Sequence, residues 1–348
     1  MGQLGVIEGF FGPKWSESSR KSYADFLSQF GGDFYIYAPK QDPFLRKKWR
    51  DPWPTEYIHE LKNLTTIFQT QGIKFGVGFS PFGLGHELTE NDLGELSEKI
   101  EILNQIGIDM LGLFFDDMPI SDNLAKTQIK VLSAIKNIFH GKIVFCPSYY
   151  TPDPILDKVF GQRPENYLEE ISTSLPLDVA IVWTGPKVIS LELSTHHLQE
   201  TKALLRRKPF LWENLYANDG PKNCKFLKLR PFSGRSKESC LHVEAFGLNM
   251  MNQAELSKIV YLSSKFVLDG ENPDEAFLHS LKTLCTPSFA TFIETHQKTF
   301  LNQGLDVLSH EEKSLFLEEL GRFPDLAAKE ITDWLKGVYL VGTECLTD

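Results

Sequence analysis

Asp116 and Asp117 stand side by side at the end of an apolar run, GLFFDDMP (112–119). Two ionised carboxylates at contact distance repel, and each raises the other's pKa unless something pairs with them. A structural reading ends a strand here, leaves Asp117 in a solvated turn and uses Asp116 as a cap. A chemical reading gives one carboxyl a proton to donate and the other a charge to hold, which is general acid–base equipment. The pair by itself leaves both open, so the elements that carry it must decide.

Those elements alternate. β-rich apolar runs occupy 4–11, 33–39, 74–80, 109–115, 142–147, 178–184, 209–215 and 240–248. Stretches of helical period lie between them at 16–30, 55–71, 89–106, 122–139, 163–174, 194–207 and 252–267, with a less regular connection at 216–238. The strands are apolar on both faces, as buried parallel strands are. Thr89 ahead of Glu90 and Asp92, Ser194 ahead of a run closing on Arg206 and Arg207, and Gly72 and Gly107 behind helices punctuate the pattern. Eight strand–helix units over roughly 260 residues predict a (β/α)₈ TIM barrel. A doubly wound sheet is the competing fold, but EGFFG lacks its GxGxxG spacing. Beyond Gly270–Pro273 only helical patterns follow, so we expect a catalytic barrel at 1–269 and a small C-terminal helical domain at 270–348.

Composition narrows the function classes. The 348 residues carry a net charge of −10 without a charged tail, which disfavours nucleic acid and anionic membranes as partners. We expect no membrane-spanning segment and no signal peptide or myristoylation signal, and hence a cytoplasmic setting. Five scattered cysteines without a CxxC pair fit reduced thiols. The histidines offer no ligand spacing, so no metal is expected.

In such a barrel the chemistry sits at the carboxyl ends of the strands. Seven of the eight strands deliver a polar or aromatic residue there: Glu8-Gly9, Lys40, Asp116-Asp117, Tyr149-Tyr150, Trp183-Thr184-Gly185, Trp212 with Asn214 and then Asn218-Asp219, and Asn249. Aromatic faces stack on a pyranose, while Asp, Asn and Lys read its hydroxyls. Paired carboxylates suit glycoside hydrolysis. A direct-displacement pair flanks the bond from two sides about 5–5.5 Å apart. Neighbours on one strand end fit substrate assistance instead, in which the sugar's own 2-acetamido oxygen is the nucleophile. One Asp then orients the acetamido group and the other serves as general acid and base, with a raised pKa and a bell-shaped pH profile.

At these residues the chain resembles glycoside hydrolase family 84, the β-N-acetylglucosaminidases that include the O-GlcNAcases. GVIEGFFG, YIYAPK, FFDD, FCPSYY, WTGPK, LWENLYAND, RPFSGR and GLNMMNQAE carry the resemblance in order from residue 5 to about 260. The resemblance implies that Asp116 orients and polarises the acetamido group and that Asp117 is the general acid/base. It implies that Tyr150 and Trp212 shape the acetamido pocket and a sugar face, and that Asn214 bonds acetamido or nearby oxygens. Asp219 would hold the 4- and 6-hydroxyls. Lys40, Asn249 and the Gly9 carbonyl would hold the 3-hydroxyl side. It implies no cofactor. The expected partner is a β-GlcNAc-bearing protein or glycan, met by a monomer or homodimer. Phe11 stands where the family commonly has Tyr, Met250 where it commonly has Pro, and NDGPKNCKF matches loosely. The N-terminal domain and long C-terminal extensions of many relatives are not expected.

Other readings compete: a GlcNAc-binding protein with an inactive site, an endo-acting hyaluronidase, and an aldolase-type barrel, which would want a lysine on strand six. For single residues, Trp183 is either core or site support, Tyr149 is structural or rim, and His196-His197 is a solvated helix start. The stretch WRDPWP (49–54) packs on the barrel or borders its mouth. Glu8 and Glu213 adjoin motif residues on their strands, so each points to the opposite side or acts as a support.

Overall fold

The computed structural model describes residues 2–84, 88–116, 123–342 and 345. Eight parallel strands close into a barrel in chain order: β1 (Gln3–Glu8), β2 (Phe34–Tyr37), β3 (Lys74–Phe79), β4 (Met110–Phe114), β5 (Lys142–Cys146), β6 (Ala180–Trp183), β7 (Phe210–Glu213) and β8 (Ala245–Asn249). The ring shuts between β1 and β8, where Ile7 lies opposite Asn249. The expected (β/α)₈ architecture is therefore present.

The outer helices are α1 (Glu17–Gln29), α2 (Thr55–Thr70), α3 (Glu90–Ile106), α4 (Leu124–Lys136), α5 (Pro154–Phe160), α6 (Tyr167–Ser174), α7 (Thr195–Leu205) and α8 (Ala254–Asp269). Thr89 and Asp92 form a reciprocal cap at the start of α3, and Gly107, with φ +85°, ends it in the left-handed conformation. Two helices occur after β5 where one was expected. Asp153 caps α5 by accepting from Ile155 N–H, and Pro154 occupies its first position. The irregular connection expected after β7 holds two 3₁₀ turns, Asn223–Lys225 and Lys237–Leu241. The second of these corrects the start of β8 from 240 to 245. Ser236 N donates to Ser239 Oγ at 3.2 Å and Ser239 N donates to Ser236 O at 3.0 Å there, and that local pairing wins over extension.

Arg207 serves the end of α7 as expected, its Nε donating to Leu205 O at 3.1 Å. Its other guanidinium nitrogens donate to the carbonyls of Ser172, Leu175, Pro176 and Val179, closing the end of α6 as well. The WRDPWP stretch packs on the barrel. Trp49 and Trp53 are buried with their rings against Phe79 at 5.9 and 6.5 Å, and Trp49 Nε1 donates to Phe82 O.

Inside the barrel, small and large residues interdigitate. A Cβ on Gly112 would lie 2.3 Å from the Phe114 ring, so glycine makes room for that ring. Phe114 in turn meets Trp212 edge-on, with centroids 5.0 Å apart. An aromatic floor thus lies beneath the carboxyl end of the barrel.

Between 270 and 342 the described residues hold helices only: α9 (Pro273–Leu284), α10 (Pro287–Asn302), α11 (His310–Leu320) and α12 (Leu326–Leu335). Phe292, Phe300, Phe316 and Trp334 form their core. Helix α8 is buried nearly all round, because the barrel covers one side and α9 and α12 the other. Glu330 of α12 accepts from the first-turn N–H groups of Glu255 and Leu256 on α8, and burial pushes its carboxyl up to about 8. These helices also grip the connection after β7. Trp334 Nε1 donates to Cys224 O at 3.1 Å, Leu227 N donates to Phe300 O at 3.1 Å, and Lys225 pairs with Asp306 at 2.6 Å. Among the described residues no helix is long and apolar enough to cross a membrane.

Candidate active site

Strand alternation sorts the residues at the carboxyl rim. On β7 and its extension, Trp212 and Asn214 face a cavity while Glu213 turns outward to Arg235. Gly9 faces the cavity and Glu8 turns outward to Arg20. Val182 and Thr184 face in, and Trp183 turns away.

The cavity is tight, with a volume of about 60 Å³, and its lining is part polar and part apolar. All eight candidate residues that are described line it. The ninth, Asp117, lies outside the described residues. At the base, Lys40 Nζ donates to Asp116 Oδ2, and both residues are more than nine-tenths buried. The same ammonium lies 5.6 Å from the Trp212 ring centroid. Asp116 Oδ1, also buried, has no hydrogen-bond partner among the described residues. A buried ion pair is tolerated when both ions are matched, and the second carboxylate oxygen then awaits a donor.

Opposite lies an amide relay. Asn249 Nδ2 donates to Asn214 Oδ1 at 2.9 Å, and Asn214 Nδ2 donates to Val188 O at 3.0 Å. Asn249 Oδ1 is a further buried acceptor without a partner among the described residues. Asp219 is anchored by the backbone N–H of Phe11, which donates to its Oδ2 at 2.8 Å. Tyr150 is buried, and its carbonyl accepts from Thr184 N. Gly9 lets the backbone reach the indole, since a Cβ there would lie 2.4 Å from Trp212 Cζ2. The arrangement offers an aromatic face, an ammonium and two open acceptors, Asp116 Oδ1 and Asn249 Oδ1, to a ligand with N–H and O–H groups on an apolar ring.

Two buried ion pairs hold the rim from behind. Glu8 accepts from Arg20 Nε and Nη2, both at 2.7 Å, from Tyr35 Oη at 2.5 Å and from Trp15 N at 3.1 Å. Burial acts to lower the Arg20 pKa, but the charge and hydrogen bonds of Glu8 prevail and hold it above the ordinary range. Glu213 and Arg235 form the second pair, fork to fork at 2.8 Å.

Sequence reasoning missed other cavity residues, among them Cys146, Val188, Asn223 and Cys345. Cys146 closes β5 as the second residue of FCPSYY, a position that strand-end logic reaches. Val188 and Asn223 come from loops without a period, and nothing local marks them. His197 is a correction: it is half-buried, not a solvated helix start. Trp183 Nε1 donates to its Nε2 at 3.0 Å, and burial lowers its pKa, whereas His196 is exposed. That contact also takes Trp183 away from the cavity. Tyr149 is structural, its hydroxyl donating to Gly161 O at 2.6 Å. Among the described residues no group of three or more His, Cys, Asp or Glu could hold a metal ion.

Residues 4–294 match the model of a protein family described as beta-N-acetylglucosaminidase. Over 248 residues the chain is 29% identical to Protein O-GlcNAcase of Rattus norvegicus and, equally, to that of Mus musculus. The match takes in 67% of this chain and 26% of each relative, so the chain spans about a quarter of their length. Among solved structures, a mutant O-GlcNAc hydrolase of Thermobaculum terrenum superposes with a TM-score of 0.79 at 28% identity, covering 96% of this chain and 81% of that one.

Proposed function

The chain belongs to the β-N-acetylglucosaminidase family, and on that premise we propose that it is a retaining exo-β-N-acetylglucosaminidase working by substrate assistance. The observation that carries this is Asp116: one oxygen is held by Lys40, and the other is buried in the cavity with no partner among the described residues. The open oxygen accepts the 2-acetamido N–H of a bound GlcNAc. Polarised in this way, the acetamido carbonyl oxygen attacks the anomeric carbon as the bond to the aglycone breaks. Asp117 delivers its proton to the departing oxygen. The product on the sugar is an oxazoline, whose developing positive charge Asp116 stabilises. Asp117 then takes a proton from water, which attacks the anomeric carbon from the aglycone side and reopens the ring. Two inversions return the β configuration.

Trp212 supplies the stacking face, Tyr150 and Asn214 the acetamido surroundings, and Lys40, Asn249 and Gly9 the 3-hydroxyl side. Asp219 receives the 4- and 6-hydroxyls, which closes the site to chain extension and makes the action exo. The substrates are terminal β-GlcNAc groups on protein Ser/Thr or on small glycans. Reduced thiols fit a cytoplasmic enzyme, a monomer or homodimer, built as a barrel at 1–269 and a helical domain at 270–348.

The test is release of 4-nitrophenol from 4-nitrophenyl N-acetyl-β-D-glucosaminide by the wild type, Asp116→Asn and Asp117→Asn, with the N-trifluoroacetyl substrate alongside. We expect Asp116→Asn to lose about 10²–10³ in kcat. Asp117→Asn loses more on poor leaving groups than on the aryl glycoside, and fluorination slows the wild type. Folded wild type without turnover would support an inactive GlcNAc-binding protein. Preference for an internal polysaccharide bond would support the hyaluronidase reading. Turnover indifferent to fluorine would discard the assisted mechanism.

A further inference from the structure

The RPFSGR motif (230–235) is absent from the cavity lining, yet its last residue reaches two walls of the cavity from behind. Arg235 is buried and engages all five of its N–H groups. Nε and Nη2 donate to Glu213 Oε2 and Oε1, both at 2.8 Å. Nη2 also donates to Ser190 O at 2.5 Å, and Nη1 to Leu191 O at 2.7 Å and Ser233 O at 3.2 Å. Glu213 sits between Trp212 and Asn214. Ser190 and Leu191 directly follow Val188 and Ile189, which line the cavity.

A second strap runs beside it. Leu193 N donates to Gly234 O at 3.0 Å. Gly234 has φ +72°, and a Cβ there would lie 2.4 Å from Leu191 O, so only glycine lets the two segments touch. On the cavity side the same two walls meet again, where Asn214 Nδ2 donates to Val188 O. Three links thus span the gap between the Val188–Ile189 wall and the Trp212–Asn214 wall, and the Arg235 guanidinium makes most of their hydrogen bonds.

We infer that Arg235 is a positioning residue for substrate binding: it fixes the width of the cavity and the orientation of the Asn214 amide. The inference rests on the hydrolase reading above. Lysine cannot replace it, because one ammonium has three donors and no planar fork. Moving the 188–191 segment frees Asn214 Nδ2 and lets the amide turn away from Asn249.

The test compares kcat and KM on 4-nitrophenyl N-acetyl-β-D-glucosaminide for the wild type, Arg235→Lys and Gly234→Ala, with thermal melts of each. Gly234 is at the surface, so its variant displaces Leu191 O without unpairing a buried charge. Both variants are expected to fold and to raise KM roughly tenfold, with up to about a hundredfold for the larger displacement. The change in kcat should be the smaller of the two. A merely structural role would reduce the active fraction, and with it kcat, while leaving KM alone. Folded variants with wild-type KM overturn this inference and leave the hydrolase reading intact. Wild type without turnover overturns both.

Discussion

Replacing Glu8 by glutamine probes how the first strand end is anchored behind Gly9. Glu8 is fully buried and accepts four hydrogen bonds, two of them from Arg20, which is itself buried. An amide keeps one acceptor oxygen and turns an NH₂ toward an Arg20 N–H, which can only donate. It also leaves the Arg20 guanidinium without its counter-charge. Removing one partner of a buried pair costs about 3–5 kcal/mol. At about 2.1 cal/mol/K per residue, 348 residues unfold with an entropy of roughly 0.7 kcal/mol/K. Glu8→Gln should then lower Tm by about 4–7 °C in a melt followed by circular dichroism. The double variant Glu8→Met/Arg20→Met should lose less than the two single replacements summed, since no charge stays buried and unpaired. A Tm within about 1 °C of wild type for Glu8→Gln would refute the reasoning, as would a double variant that loses the full sum.

Two further outcomes are expected. Gly9→Ala drives a methyl into the Trp212 ring, so kcat/KM should fall by about ten- to a hundredfold with little change in Tm; unchanged kinetics would show that the ring has room to move. Glu330 titrates at about 8 in the folded protein against 4.5 for a free side chain. Its raised value makes the neutral form the one that the fold prefers. Its contribution is therefore complete below about pH 4.5 and is lost as pH rises through about 8. Denaturant midpoints between those limits should decline with pH, and Glu330→Gln should flatten the decline; parallel curves for the two proteins would remove Glu330 as the cause.

The barrel was legible because its signal is local and repeated. Runs such as DFYIYAP and KFGVGFS can only be buried strands, and the caps at Thr89 and Ser194 mark where helices start. Period two also separated Trp212 and Asn214 from Glu213, and Gly9 from Glu8, before any coordinates were needed. What stayed hidden depends on partners far along the chain. Arg235 lies 22 residues from Glu213 and 45 from Ser190, and nothing in RPFSGR states that its guanidinium will bridge them. Val188 enters the cavity beside the segment that those bridges hold, and Asn223 from a turn held by residues of the C-terminal helical region. Trp183 and His197 found each other because strand alternation turned the indole outward, a consequence available from period two but masked by the attraction of a tryptophan at a strand end.

The grip of the C-terminal helices on the connection after β7 has a consequence for the order of synthesis. Asn223 enters the cavity from a turn whose neighbours are held late: Lys225 by Asp306, 81 residues on, and Cys224 by Trp334, 110 residues on. At about 5–20 residues per second, that last brace leaves the ribosome roughly 5–20 s after the turn it supports. A nascent chain can therefore display all eight strands while one side of its cavity is still unsupported. Closing the barrel and finishing the site are separate events in the making of each molecule.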